Sequence, residues 1–184
     1  MKITETPIPG LFVIDPRVFE DERGYFFESF NQLRFEEQKL VSRFVQDNES
    51  KSSYGVIRGL HYQLAPYSQT KLVRVISGSV FDVAVDLREG SPTFGQWYGV
   101  ELTADNKKQF YIPKGFAHGF SVLSDYAVFA YKCDDFYNPS VDRGISYDDP
   151  SLNIDWMIPS GMAVISEKDK KHPSFADAEK NFKF

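Results

Sequence analysis

Four side chains able to move or hold a proton sit where short apolar strands should run: His61, Lys71, His118 and Tyr131. His61 belongs to Arg58-Gly59-Leu60-His61-Tyr62-Gln63, and Lys71 begins Lys71-Leu72-Val73-Arg74-Val75-Ile76. His118 follows a Pro-x-Gly turn, Pro113-Lys114-Gly115, and lies between phenylalanines. Tyr131 is in line with Phe129 and Ala127. Removing a proton beside a ketone calls for these residue types: a base, a donor for the enolate oxygen and, for inversion, an acid on the opposite face. Histidine, titrating near ~6.5, suits the base. An ammonium or a histidine suits the oxyanion, and a tyrosine can return the proton. The planar fork of an arginine such as Arg58 pairs with a diphosphate.

Each residue also has a plainer reading. Alone, His61 is equally well a hydrogen-bonded structural histidine, Lys71 a solvated edge charge and Tyr131 a core residue. A regular strand would put Arg58 and His61 on opposite faces. Gly59 between them marks a bulge, which would turn both toward one interior. A carboxylate that fixes the tautomer would strengthen a histidine base. Many aspartates are available, and periodicity selects none.

Metal is the competing use of histidine, and the chain has three: His61, His118 and His172. No second histidine or glutamate follows His61 closely, and His172, beside Pro173 in a lysine-rich tail, reads as solvent-exposed. Three placed ligands are the usual minimum for an open site, so no metal is expected. The lone Cys133 lies in an apolar run and reads as a buried structural thiol.

The elements that must position these residues are mostly strands. Alternation marks Leu11 to Ile14, Gly24 to Phe30, and then 44–51, 56–63, 70–76, 79–88, 97–103, 109–112, 116–123 and 126–136. Ser77-Gly78, Glu89-Gly90-Ser91-Pro92 and Ala104-Asp105-Asn106 supply turns. One helix is expected over Asn31 to Leu40 with Asn31 as its cap, and another short one near Ser166 to Lys171 in an otherwise irregular tail. In Val80 to Asp86, Phe81, Val83 and Val85 share one face while Asp82, Ala84 and Asp86 share the other. Many short strands with frequent turns point to an all-β sandwich or barrel, and a jelly roll is the common solution.

A chain of 184 residues without repeat or linker reads as one domain over 1–184. With 21 basic against 26 acidic residues and no basic stripe, nucleic acid is not an expected partner. No apolar stretch is long enough for a membrane span, and the first residues lack the apolar core of a signal peptide. A cytosolic protein is expected.

Several blocks together resemble the dTDP-4-dehydrorhamnose 3,5-epimerase family. They are Asp21-Glu22-Arg23-Gly24-Tyr25-Phe26-Phe27-Glu28, Gln46-Asp47-Asn48, Arg58 to Gln63 and Lys71. Further blocks are Ser91 to Gly95, Pro113 to Phe120, Tyr131-Lys132-Cys133, Asp148-Asp149-Pro150 and Ser166-Glu167-Lys168-Asp169. The resemblance implies a cupin-type jelly roll (a double-stranded β-helix with a few short helices). It implies a homodimer that uses neither metal nor nicotinamide cofactor. His61 would be the base and Asp169 its dyad partner, Lys71 would stabilise the C4 enolate, and Tyr131 would be the opposing acid. Arg58, His118 and Asp82 would line the sugar and diphosphate, with Tyr137 beside them. Phe26, Glu28, Gln46 and Asn48 would contact the nucleoside, and Arg23 would reach it across the dimer interface. The implied substrate is dTDP-4-keto-6-deoxyglucose, inverted at C3 and C5 toward dTDP-L-rhamnose. An epimerase acting at one carbon only and a non-catalytic sugar-nucleotide-binding cupin are the alternatives. A metal-dependent cupin oxygenase is the more distant one.

Overall fold

The computed structural model describes residues 1–40 and 43–184. The strands are β1 (Lys2–Glu5), β2 (Phe12–Asp15), β3 (Val18–Asp21), β4 (Gly24–Phe27), β5 (Gln46–Ser53), β6 (Val56–Gln63) and β7 (Lys71–Ser77). They continue with β8 (Ser79–Asp86), β9 (Trp97–Thr103), β10 (Gln109–Ile112), β11 (Phe116–Val122), β12 (Tyr126–Cys133), β13 (Asp142–Gly144) and β14 (Val164–Ile165). One sheet has the order β1-β2-β10-β7-β12-β5. The other has the order β13-β6-β11-β8-β9, with β14 parallel to β6. The two lie face to face as a cupin-type jelly roll.

Alternation decides which side chains enter the space between the sheets. Val73, Val75, Phe110 and Phe129 of the first sheet meet Val80, Ala84, Phe116 and Phe120 of the second in one apolar core. The intervening residues face outward and are covered in turn. Leu152, Trp156, Ala178 and Phe182 from the tail close over Ile57, Leu60, Val83 and Val85. Phe35, from helix α1 (Gln32–Glu37), covers Ile14, Leu72 and Tyr111. The same alternation carries Lys71 inward with Val73, and His118 inward with Phe116 and Phe120. Tyr131 likewise turns inward with Phe129, and Gln46 and Asn48 do so through their pairing with Cys133 and Tyr131.

The bulge expected at Gly59 is present. His118 pairs with His61 and Phe120 with Arg58, so three steps on β6 span two on β11. That extra residue changes the phase: Arg58 follows Val56 toward the interior, and His61 then does too, while Leu60 and Tyr62 face the outer layer. Gly59 has φ +129°, and a Cβ there would lie 2.5 Å from Gly119 Cα and 2.8 Å from the His118 carbonyl oxygen.

Some boundaries differ from expectation. The helix is shorter at its C-terminal end: Asn31 caps it through the Arg34 N–H at 3.3 Å, and Lys39 at φ +58° ends it before Leu40. Strand β4 stops at Phe27, because Phe30 turns in to pack on Phe35 and Phe44 at ring separations of 5.0 and 5.3 Å. In the tail, β13 and β14 are strands of three and two residues, too short to show alternation. The expected helix there is a 3₁₀ turn, Asp169–Lys171. Among the described residues no helix is long and apolar enough to cross a membrane.

Gly59→Ala and Gly161→Ala separate conformation from crowding, since both glycines have positive φ but only Gly59 faces backbone. Gly161→Ala should cost about 1–2 kcal/mol in urea unfolding, and Gly59→Ala clearly more. Equal losses would mean that the Gly59–Gly119 approach is not a tight one.

Candidate active site

Asp169 starts the 3₁₀ turn, and its N–H donates to Ser166 Oγ at 3.0 Å. Its carboxylate is buried against β6: Oδ2 accepts the Gly59 N–H at 3.5 Å, and Oδ1 lies 2.8 Å from His61 Nε2. Burial alone would raise this carboxyl, but the His61 hydrogen bond and charge and the Gly59 N–H hold it below the usual aspartate range. An ionised Asp169 accepts from Nε2, which leaves Nδ1 of His61 as the ring nitrogen free to take a proton. The His61 side chain is 34% exposed, so it can meet a ligand while its partner stays dry.

His172 corrects an expectation. Its side chain is 11% exposed, and its ring stands edge-on to that of His61 with centroids 5.4 Å apart. Two local features bring it in. The Pro173 carbonyl accepts the Ser146 N–H at 2.8 Å, folding the tail back, and Gly144 leaves room where any Cβ would overlap the His172 ring.

Deeper between the sheets lies a cluster of buried charges. His118 Nε2 is 3.0 and 3.1 Å from the two oxygens of Asp82, which has no exposed surface. Burial raises the Asp82 carboxyl, and His118 and Lys71 oppose that rise. Burial lowers the Lys71 ammonium, with Cys133, Asp82 and Asp142 opposing. Burial likewise lowers His118, against the pull of Asp82. Lys71 Nζ sits 5.9 Å from the centre of the Tyr131 ring, so the ammonium and the phenol belong to one wall. Burial raises the Tyr131 hydroxyl, keeping it a proton donor at neutral pH. Arg58 holds Ser52 Oγ through Nε at 2.9 Å and leaves its remaining N–H groups for other partners.

Beside this cluster runs a polar chain. Gln46 Nε2 donates to Asn48 Oδ1 at 3.0 Å, the Tyr137 N–H donates to Gln46 Oε1 at 3.1 Å, and the Tyr137 hydroxyl donates to Asp142 Oδ2 at 3.1 Å. Lys168 Nζ donates to that same Asp142 oxygen at 2.6 Å. Asp142 and Lys168 escaped the sequence reading, the first because its strand has three residues. Lys168 carried one signal, its place beside Asp169 in a matched block. Cys133 is buried, as expected.

Arg23, Phe26 and Glu28 do not join the others within one chain. They belong to the β3–β4 hairpin and the residue after it, and the hairpin pairs with neither large sheet. Phe27 lies 5.8 Å from the Arg74 guanidinium, on the outer face of the first sheet. The Arg23 side chain is 85% exposed and bonds to Asp21, Phe26 is 66% exposed, and Glu28 accepts from Asn31 Nδ2 at 2.9 Å.

A family model described as dTDP-4-dehydrorhamnose 3,5-epimerase matches residues 5–177. The chain belongs to this family. It is 55% identical over 182 residues to the dTDP-4-dehydrorhamnose 3,5-epimerase of Shigella flexneri, covering 97% of this chain and 98% of that one. The crystal structure of the enzyme of the same name from Elizabethkingia anophelis superposes with a TM-score of 0.93 at 56% identity, over 96% of this chain and 97% of that one. A dTDP-6-deoxy-D-glucose-3,5-epimerase from Legionella pneumophila, solved in complex with dTDP-4-keto-L-rhamnose, gives a TM-score of 0.90 at 54% identity, over 94% and 92%. The family resemblance read from the sequence blocks is therefore upheld, and the matched residues run from 5 to 177, spanning the positions of both His61 and Asp169.

The depressed Asp169 carboxyl has a measurable consequence. Its contribution to stability is present above the unfolded aspartate value of ~3.9 and is lost as pH falls through the lower folded value. Asp169→Asn should therefore flatten the acid side of the stability–pH curve in that window, followed by urea unfolding. An unchanged acid limb would show that Asp169 titrates as a free carboxyl.

Proposed function

We propose that the chain inverts C3 and C5 of dTDP-4-dehydro-6-deoxy-D-glucose to give dTDP-4-dehydro-L-rhamnose, the precursor of dTDP-L-rhamnose. The observation that carries this reading is the placement of a dyad-held histidine on one sheet and a proton-bearing tyrosine with a lysine on the other. Both sets point into the same interior. A site that only bound its ligand would have no use for an acid opposite a base.

His61, oriented by Asp169, removes the proton at carbon next to the C4 ketone. The electrons move into the C4 oxygen, where the Lys71 ammonium steadies the enolate. Tyr131 returns a proton to the opposite face of that carbon, which inverts it. His61 then releases its proton and Tyr131 regains one through solvent, and the cycle repeats at the second carbon. The buried His118–Asp82 pair lines the pocket beside Lys71 and keeps water from competing at the enolate oxygen. Arg58 faces the diphosphate, and Tyr137, Gln46 and Asn48 border the sugar and nucleoside. No step calls for a metal or nicotinamide.

Arg23, Phe26 and Glu28 reach a nucleotide in a homodimer, in which each hairpin lies over the other copy's pocket. Phe19, Tyr25 and Phe26 support this reading, being 49%, 57% and 66% exposed on one two-stranded hairpin. The reaction is placed in the cytosol, which suits a single cysteine left as a thiol. The whole chain acts as one catalytic domain.

Incubation with dTDP-4-keto-6-deoxyglucose in deuterated water, followed by NMR, tests the reading. Deuterium should enter at both C3 and C5. His61→Asn should lower both exchanges by several orders of magnitude, to a small residual rate, whereas Tyr131→Phe should lose epimerised product more than exchange, because washout from the His61 face needs no acid opposite. Uptake at one carbon would make the protein a single-position epimerase, and uptake at neither would refute the reading. Equal loss of exchange and product in Tyr131→Phe would make that residue structural.

A further inference from the structure

His172 leaves one buried polar atom without a hydrogen-bond partner. Its Nδ1 is enclosed yet 4.0 Å from Asp169 Oδ1, too far for a hydrogen bond. Buried polar atoms in folded proteins nearly always have partners, so this one asks for an occupant. The atoms around it are those of a metal site: one ligand atom each from His61, Asp169 and His172 lies within 4.8 Å of the others. The Gly59 N–H engages Asp169 Oδ2, which leaves Oδ1 directed at the two histidines. Gly144 seats the His172 ring, and Ser166 fixes the turn that carries Asp169.

We propose that His61, Asp169 and His172 bind a divalent transition-metal ion of the zinc class, and that the ion blocks the enzyme by taking His61 Nε2, which leaves the ring's one proton on Nδ1, the nitrogen that would accept the substrate proton. Two imidazoles and a carboxylate are the donor set of open zinc sites. Zinc bonds of ~2.0–2.1 Å at tetrahedral angles put ligand atoms roughly 3.4 Å apart. The 2.8 Å His61–Asp169 separation has to widen and the 4.0 Å His172–Asp169 separation has to narrow, each by roughly 0.6 Å, and the two histidine nitrogens, within 4.8 Å, have to close by up to roughly 1.4 Å through rotation of their rings. The ammonium of Lys168, the residue before Asp169, is tied to Asp142 at 2.6 Å, which tempers its repulsion of a cation. Binding is independent of the reaction assigned above, while inhibition rests on the base role given to His61.

Calorimetric titration of the metal-free protein with zinc chloride, without substrate, should give one ion per chain. His172→Ala should weaken that binding by at least about tenfold, as losses even around a metal's ligands do. Gly144→Ala, which displaces the His172 ring while keeping all three ligands, should weaken it too. In parallel, zinc should slow wild-type C3 and C5 exchange reversibly, with chelator restoring it. Each variant, scored against its own metal-free rate, should need correspondingly more zinc. No stoichiometric binding, or binding unchanged in His172→Ala, would overturn the proposal. Histidine-dependent binding in a protein without exchange activity would leave the metal site standing and remove the epimerase reading instead.

Discussion

A carboxylate taken out of water must find donors, and Asp169 finds them more than a hundred residues upstream, on the bulged strand β6. This requirement organises much of the molecule. It fixes where the C-terminal tail lies on the outer face of the second sheet, where Leu152, Trp156 and Phe182 share one apolar cluster with Ile57 and Leu60. It also holds the His61 ring at one orientation. Apolar packing brings the tail close, and the short His61–Asp169 hydrogen bond sets its register.

The interior has two ends of different character. One is an ordinary core of Val75, Ala84, Phe110 and Phe129. At the other, alternation along the same strands delivers Lys71, Asp82, His118 and Tyr131, and burial shifts each of their proton affinities. The cost of burying these charges is met by mutual pairing, of which the Asp82–His118 contact is the clearest case. A candidate site of this kind is continuous with the fold's packing, because each of these titratable side chains is one position in a strand whose neighbours are core.

The strands of the jelly roll were legible where alternation was long. β6, β9 and β10 fall where periodicity put them, and Gly59 signalled its bulge. What escaped was short or determined at a distance. Two- and three-residue strands have no period to read, and β1, exposed at a sheet edge, has little apolar contrast. Composition suggested that His172 was solvated, yet a missing Cβ at Gly144 and a backbone bond from Ser146 to Pro173 bury it. No local pattern could choose Asp169 among the aspartates. Only the likeness of its surrounding block to a known family did so, and the 2.8 Å contact now gives that choice a physical basis. The hairpin with Arg23 and Phe26 carries a signal of another kind, exposed aromatic surface that a single chain does not cover.

We infer that His61 and Asp169 act as one unit, with the carboxylate working only through the imidazole. A double-mutant cycle on C5 proton exchange, with His61→Ala, Asp169→Asn and the pair together, measures that coupling directly. Adding Asp169→Asn to His61→Ala should lower the rate no further, although Asp169→Asn alone should lower it by orders of magnitude. Multiplying losses in the double variant would contradict it, because Asp169 would then be acting on the substrate or the fold independently of His61.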